Sequence, residues 1–257
     1  MKTTVYQARR EIVKQCPAVF TAREFRALAG LSLDAAWQTC RRLVELGALR
    51  MEGRGIYRRP DLEIALPVPF HLALALGGEG YFTGRGVLAP HPRRWAAAAI
   101  GLDLVSGRRL GPVRGGDPVP VRRHRLELGK FPYGLQPWDD GRRRFAVATP
   151  ERVILDSLAC PGRFLSVAEI MTLLGRRHRR VRPLALIDLV ARFRSETVRR
   201  RLRVLSELAG LRRLPRWLAQ EGPYSPRMGL VWLDPSLADR TVYAVSHGVR
   251  VNLDPNR

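Results

Sequence analysis

Arginine side chains supply most of the chemistry that this sequence offers. Of its 45 basic residues only Lys2, Lys14 and Lys130 are lysine, and 23 acidic residues leave a net charge of +22. A guanidinium group forms paired hydrogen bonds with phosphate oxygens and with the edge of guanine. This charge therefore favours a nucleic-acid partner, although a GC-rich coding bias would explain the arginine usage equally well.

Nine residues between positions 32 and 59 have types and spacing suited to double-stranded DNA. Gln38 can pair with adenine and Arg41 with guanine in the major groove, whereas Arg42 is better placed for phosphate. A cluster of arginines around a glycine turn at 53–55 suits backbone or minor-groove contact. Trp37 is as consistent with a core or inter-domain aromatic as with a DNA contact. The predicted DNA-binding set is Ser32, Trp37, Gln38, Arg41, Arg42, Arg50, Arg54, Arg58 and Arg59.

Helix caps and glycine turns in the sequence predict the helices and strands that would position these residues. Thr21 and Glu24 form a capping box that begins a helix over residues 22–29, which is expected to bury Phe25 and Leu28. Gly30 supplies a turn, and Ser32 caps a third helix over residues 33–46. Two short strands are predicted on either side of the glycine turn at 53–55, after the third helix. This is the pattern of a winged helix-turn-helix, and the sequence predicts one over residues 1–60 as a DNA-binding domain.

The remaining residues, 61–257, predict a larger mixed α+β domain with a small sheet, so the predicted fold class is α+β. Residues 87–104 are expected to be mostly helical, and 118–124 and 145–148 to be short strands. Thr149 and Pro150 begin a helix, and Ser166 with Glu169 forms a second capping box. A helix over 195–209 is expected to turn Leu202 and Leu208 inward and Arg199, Arg200 and Arg203 outward. The glycine-rich stretch 77–86 is interpreted as a structural turn because it lacks a phosphate-loop motif.

Signals for catalysis, cofactors and membranes are missing from the sequence. The five histidines are scattered, the three cysteines lack C-x-x-C spacing, and no lysine accompanies clustered carboxylates as in a nuclease. No run of 18 apolar residues and no apolar signal core occurs. We therefore expect a cytoplasmic protein that has no cofactor, metal or membrane partner and is not an enzyme.

Five sequence blocks occur in an order that resembles the AbiEi family, antitoxins of type IV toxin–antitoxin and abortive-infection systems. They are FTAREFRALAG, RRLVELGALRMEGRGIYRRP, ATPERVILDSLACP, SETVRRRLRVLSELAGL, and LVWLDPSLAD with VRVNLDP. Together they span nearly the whole chain. The block at 148–161 and the late Leu-Asp-Pro are the more diagnostic parts, because many regulators share the winged-helix part.

The resemblance implies a transcriptional autorepressor that binds inverted repeats in its own promoter, with the antitoxin activity in its C-terminal domain. It also implies a functional partner, a nucleotidyltransferase-like toxin involved in phage defence, which is countered without a stable complex. Two other classes stay open from the residues themselves. One is an unrelated winged-helix transcription regulator with an effector-binding C-terminal domain, and the other is an enzyme such as a nuclease that is targeted by a winged helix.

Overall fold

The chain is a mixed α+β protein with several small sheets. The computed structural model describes residues 2–53, 55–62, 80–88, 102–106, 121–125, 132–139, 144–175, 180–220, 229–237, 242 and 244–252. The chain divides into two compact units. The first contains Met1–Phe82, Ala89–Gly129 and Pro137–Ala146, and the second contains Thr83–Leu88, Lys130–Gln136 and Val147–Arg257. The predicted domain boundary after residue 60 stays a prediction.

The N-terminal segment alternates helices with a three-stranded sheet. In chain order its elements are α1 (Lys2–Gln15), β1 (Val19–Thr21), α2 (Ala22–Ala29), α3 (Leu33–Glu45), β2 (Arg50–Gly53) and β3 (Ile56–Arg58). The strands lie in the order β1-β3-β2, with β3 antiparallel to both neighbours. The bounds of α2 and α3 differ by at most one residue from those expected from the sequence.

Side-chain caps fix the two helices on either side of Gly30. The Glu24 amide donates to Thr21 Oγ1 at 3.2 Å, and the Thr21 amide donates to Glu24 Oε2 at 2.7 Å, which confirms the predicted capping box. Gly30 adopts the left-handed conformation with φ of 61°. The Ala35 amide then donates to Ser32 Oγ at 3.2 Å. Each cap satisfies amide groups that a helix start leaves without partners, so α2 and α3 begin where the sequence indicated.

A local hydrophobic core holds this segment together. Phe20, Phe25, Cys40 and Leu43 are fully buried in it, and the ring of Phe20 packs against those of Phe25 and Tyr57. The expectation that Leu28 is buried is wrong, because 48% of its surface is exposed. Phe25, one turn earlier on α2, is the large residue of this helix that fills the core, and Leu28 lies at its edge.

A five-stranded sheet follows in the order β6-β5-β4-β8-β7. Its strands are β4 (Tyr81–Thr83), β5 (Leu102–Ser106), β6 (Val121–Arg125), β7 (Leu135–Asp139) and β8 (Arg144–Ala148). The predicted helix over 87–104 is wrong at its end, where Leu102 begins β5, and the described residues at its start belong to a short 3-10 helix, Gly86–Leu88. Most of the remaining residues of that prediction, and residues 77–79 of the glycine-rich stretch, lie outside the described residues. At Gly80 an added Cβ would lie 2.6 Å from the Val105 carbonyl oxygen. The backbone just before β4 therefore lies too close to β5 for any residue with a side chain.

The second unit is built mainly from helices. They are α4 (Pro150–Ala159), α5 (Val167–Leu174), α6 (Pro183–Phe193), α7 (Glu196–Leu208) and α8 (Arg213–Gln220). The predicted caps at Thr149 and at Ser166 with Glu169 are confirmed. A small sheet in the order β10-β11-β9 joins β9 (Val231–Trp232), β10 (Ala244–Ser246) and β11 (Val249–Val251).

Buried arginines pack inside this unit. On α4, Arg152 Nε lies 2.8 Å from Asp156 Oδ1, with both side chains fully buried, and Thr83 Oγ1 donates to Asp156 Oδ2 at 3.0 Å. On α7 the expectation that Arg200 points outward is wrong, because its side chain is 2% exposed and is paired with Glu196 at 2.9 Å. Leu208 was expected inside and is 42% exposed. The ion pair within α7 makes the burial of the Arg200 guanidinium tolerable, which the apolar period alone does not indicate.

Candidate nucleic-acid interface

The outer face of α3 presents polar side chains to solvent. The inward residues Ala36, Cys40 and Leu43 are buried, which turns Gln38 and Arg41 outward. The Arg41 side chain is 86% exposed. Ser32 stands at the N-terminus of α3 and is exposed, although its hydroxyl oxygen is engaged as the helix cap. Long polar side chains on an exposed helix face can reach a ligand without any rearrangement of the core.

Glu45 modulates the positive charge near the end of α3. Arg42 Nη1 lies 2.7 Å from Glu45 Oε2, whereas Arg41 Nε is 3.8 Å from Glu45 Oε1. All three side chains are about half exposed or more, and exposed pairs of this kind contribute about 0.3–0.5 kcal/mol. A phosphate could therefore compete with Glu45 for Arg42, and it would meet still less competition at Arg41.

The β2–β3 hairpin carries a second basic group. Arg50 and Arg58 are opposite each other in the antiparallel register. Glu52 Oε1 lies between them, 3.7 Å from Arg50 Nε and 3.8 Å from Arg58 Nη1. The Arg50 side chain is 72% exposed and that of Arg58 only 29%. The hairpin therefore leaves most of the Arg50 side chain exposed to solvent, whereas Arg58 packs closer to the protein surface.

Arg59 does not belong to this exposed face, and its assignment as a DNA contact is corrected. Only 5% of its side chain is exposed. Its guanidinium group donates to the carbonyl oxygens of Lys14 at 2.6 Å and Cys16 at 3.3 Å, and it forms a two-point ion pair with Asp61 at 2.7 and 3.2 Å. These bonds join the end of β3 to the end of α1, so Arg59 stabilises the segment and has no donor directed at a ligand.

Trp37 connects the exposed helix face with the hairpin turn. It is 41% exposed, so it is not a core residue of the N-terminal segment. Gly55 has a φ of +74°, and a Cβ at this position would lie 3.5 Å from Trp37 Cζ2. The edge of the indole ring therefore lies beside the turn between β2 and β3. Arg54, the predicted centre of that turn, lies outside the described residues.

Two of the cysteines are structural. Burial, helped by the charge of Glu24, raises the pKa of the Cys16 thiol to about 11, and burial raises that of Cys40 to about 12. A thiol with such a pKa is neutral near pH 7 and is a poor nucleophile and metal ligand. Among the described residues no cluster of histidine, cysteine and carboxylate groups could hold a metal ion.

Residues far apart in the sequence form a charged cluster that local patterns did not reveal. Asp103 on β5 is fully buried, and it accepts hydrogen bonds from Arg122 at 2.9 and 3.0 Å and from His124 at 2.8 Å. Arg122 and His124 lie on the same face of β6, two residues apart, and Arg122 is directly opposite Asp103 in the parallel register. The cluster fixes β6 against β5. Among the described residues the cluster contains a single carboxylate, that of Asp103.

The described elements define a mixed α+β protein that bears an arginine-rich surface formed by one helix and one hairpin. No helix within the described part of the chain has the length and apolar character needed to cross a membrane. No family model matches the chain, and neither does any curated protein. Among solved structures, the chain is similar to the crystal structure of the Rv2827c protein from Mycobacterium tuberculosis. The identity is 15%, the TM-score is 0.57, and the similarity covers 94% of this chain and 89% of that chain. At this identity the likeness concerns the fold alone.

Proposed function

We propose that the chain is a DNA-binding transcriptional autorepressor and the antitoxin of a type IV toxin–antitoxin system. In this proposal residues 1–60 form a winged helix-turn-helix, with α3 as the recognition helix and the β2–β3 hairpin as the wing. Its partners are inverted repeats in its own promoter and, functionally, a nucleotidyltransferase-like toxin with which it forms no stable complex. The protein acts in the cytoplasm, without a cofactor and without catalysing a reaction.

The observation that carries the proposal is the exposed face of α3 beside an arginine-bearing hairpin. A recognition helix needs long polar side chains at positions clear of the core, and Gln38 and Arg41 occupy such positions. Arg50 on the hairpin is similarly exposed, and its Nε lies 3.7 Å from Glu52 Oε1. With Arg59 removed from the set, the proposed contacts are Gln38, Arg41, Arg42, Arg50, Arg54 and Arg58, with Trp37 beside the turn and Ser32 at the helix start.

The antitoxin part of the proposal rests on the resemblance of the sequence blocks to the AbiEi family. Two of those blocks coincide with helices of the second unit. ATPERVILDSLACP covers α4 with its Thr149 cap and the Arg152–Asp156 pair, and SETVRRRLRVLSELAGL covers α7 with its Ser195 cap. Both caps and the buried ion pair are structural features, so the blocks account for the fold of this unit rather than for a reactive site.

DNA binding is tested by titrating the full chain with the DNA upstream of its own gene over a series of salt concentrations. Each phosphate contact that is lost should reduce the slope of log K against log salt by about one. We expect Arg41→Ala, which removes the proposed guanine contact, to weaken binding, and Arg50→Ala, which removes a proposed backbone contact, to weaken binding and to lower the slope by this amount. Arg192→Ala, which removes an exposed arginine of α6, is the matched control and should leave both unchanged. Wild-type affinity in Arg41→Ala together with wild-type affinity and slope in Arg50→Ala would refute the assigned interface.

The antitoxin role needs a separate experiment. The gene adjacent to this one is expressed from an inducible promoter, and the full chain is supplied from a second plasmid. If the proposal is correct, the neighbouring product arrests growth, the wild-type chain restores it, and Arg41→Ala restores it as well, because repression and antitoxicity would reside in different parts of the chain. A chain that represses its promoter without restoring growth would instead be a regulator with another C-terminal role.

A further inference from the structure

An apolar groove in the second unit is not used by the proposed function. Its volume is about 610 Å³, and it lies between the end of α5, the start of α6 and the turn from α7 to α8. The floor contains Leu174, Leu186 and Leu214, which are 6%, 0% and 4% exposed. Apart from Arg212, Arg213 and Gly210, the described residues that line it have aliphatic side chains. The groove falls within the range of about 300–1,000 Å³ that is typical of binding clefts.

Leu184 stands at the rim of this groove and is 81% exposed. Single exposed leucines are common on protein surfaces. This one, however, extends an aliphatic groove, and a continuous apolar surface of that kind marks interaction sites. A small ligand lying on the floor would leave most of Leu184 in water. Burying it requires an occupant wider than the groove, which favours another polypeptide.

The charge around the groove selects an acidic occupant. Arg212 and Arg213 are exposed, and neither forms an ion pair with any residue that the structure describes. Two helices, α6 and α8, begin at the groove, and neither has an acidic residue in its first turn. At the start of α6 the Arg182 amide donates to Glu151 Oε1 at 2.7 Å, so this helix end already has an acidic partner. Helix N-termini carry partial positive charge, so Arg212, Arg213 and the start of α8 form the positive part of the rim.

The aliphatic lining also limits the backbone of the occupant. An extended peptide would bring unpaired N–H and C=O groups against leucine side chains, and unpaired buried backbone groups are unfavourable. An α-helix satisfies these groups internally and presents only side chains to a groove. We propose that this groove binds an amphipathic helix of another protein, with aliphatic residues facing Leu184 and the floor and with glutamate or aspartate facing Arg212 and Arg213.

The test uses a fluorescent synthetic helix about four turns long, with leucine at i, i+4, i+7 and i+11 and glutamate on the flanks. Anisotropy titration with the full-length chain should show saturable binding. Two further peptides, one with lysine in place of glutamate and one with serine in place of leucine, should each bind roughly tenfold more weakly. If the serine peptide binds as tightly as the leucine peptide, the attraction is to the basic surface in general and the proposal fails.

Variants of the chain locate the binding site. Leu184→Glu is compatible with folding because the side chain is exposed and lies in the first turn of α6, and it should weaken binding about tenfold. Leu230→Glu is the matched control, since Leu230 is 48% exposed in the same unit and does not line the groove; binding should be unchanged. Arg212→Ala with Arg213→Ala should reduce the preference for the glutamate peptide over the lysine peptide.

Other results identify other occupants and would overturn the proposal. Dimerisation of the wild type, lost in Leu184→Glu, would mean that a second copy covers the groove. Saturable binding of decanoate that Leu184→Glu abolishes, without binding of the leucine–glutamate peptide, would mean a small amphiphile. Arg41→Ala should bind the peptide like the wild type, so failure of the DNA assignment and failure of the groove assignment are distinguishable.

Discussion

At the scale of single residues, the arginines fall into two groups with opposite roles. Arg41 and Arg50 have mostly exposed side chains, whereas Arg59, Arg152 and Arg200 are buried with carboxylate and carbonyl partners. An exposed guanidinium is available to a ligand and contributes little to stability, but a buried one becomes costly when its partner is removed. The same residue type therefore predicts different mutant phenotypes at different positions.

Arg59→Ala is expected to lower the free energy of unfolding by roughly 2–3 kcal/mol, because it removes charged hydrogen bonds that join β3 to α1. Urea denaturation followed by circular dichroism measures this change. Arg41→Ala, at an exposed position, should change stability by no more than about 0.5 kcal/mol. If Arg59→Ala instead keeps its stability and lowers the slope of log K against log salt, Arg59 contacts DNA after all.

Asp156→Ala is expected to destabilise the chain by roughly 3–5 kcal/mol, since it leaves the buried Arg152 guanidinium without its carboxylate. Asp188→Ala is the control. Its carboxylate also pairs with an arginine four residues away, at 3.1 Å, but both side chains are at least half exposed, so the cost should stay within about 0.5 kcal/mol. Equal stability of the two variants in urea would show that the α4 ion pair is not a stabilising contact.

At the scale of elements, what could be predicted depends on how local the determining contacts are. Caps such as Thr21 with Glu24 act over three residues, and the apolar period of α3 is contained in one helix. Both features could therefore be predicted from the local sequence. The start of β5 at Leu102 and the Asp103–Arg122–His124 cluster depend on a strand 19 residues further along. The burial of Arg59 depends on α1 carbonyls more than 40 residues away. Neither contact could be predicted from the residues that are adjacent in the sequence.

The turn between β2 and β3 yields a prediction at this scale. Gly55→Ala places a side chain at a φ of +74°, a conformation that costs an L-residue roughly 1–2 kcal/mol. The added methyl would meet Trp37 at ordinary van der Waals distance, so the backbone strain is the expected cause of a lower Tm. Gly229→Ala is the control because its added Cβ meets nothing within 4 Å and its φ is not in the left-handed region. An unchanged Tm for Gly55→Ala would mean that the turn can relax.

At the scale of the whole molecule, the positive charge is distributed along the sequence. Residues 1–60 carry 12 basic and 5 acidic side chains, and residues 61–257 carry 33 and 18. Charge alone therefore identifies no binding site, and exposure distinguishes the α3 face. The aliphatic groove is not predictable from the sequence, because it forms only where α5, α6 and the turn from α7 to α8 meet.

A fragment of residues 1–62 is expected to fold independently. Its described core lies within residues 13–57, and Arg59, which pairs with Asp61, donates to the Lys14 and Cys16 carbonyls at the end of α1. The fragment should unfold cooperatively on heating, as followed by circular dichroism, and should bind the upstream DNA more weakly than the full chain because it carries fewer positive charges. A non-cooperative melt would show that the core needs residues beyond 62.

The position of Trp37 gives that fragment an intrinsic optical probe. The full chain has five tryptophans, and the other four lie beyond residue 62. Every photon emitted by an indole in the fragment would therefore come from a ring beside the hairpin turn, 41% exposed on the face proposed to meet DNA. Quenching by iodide, with and without DNA, would report directly on whether that ring is covered, with no label attached.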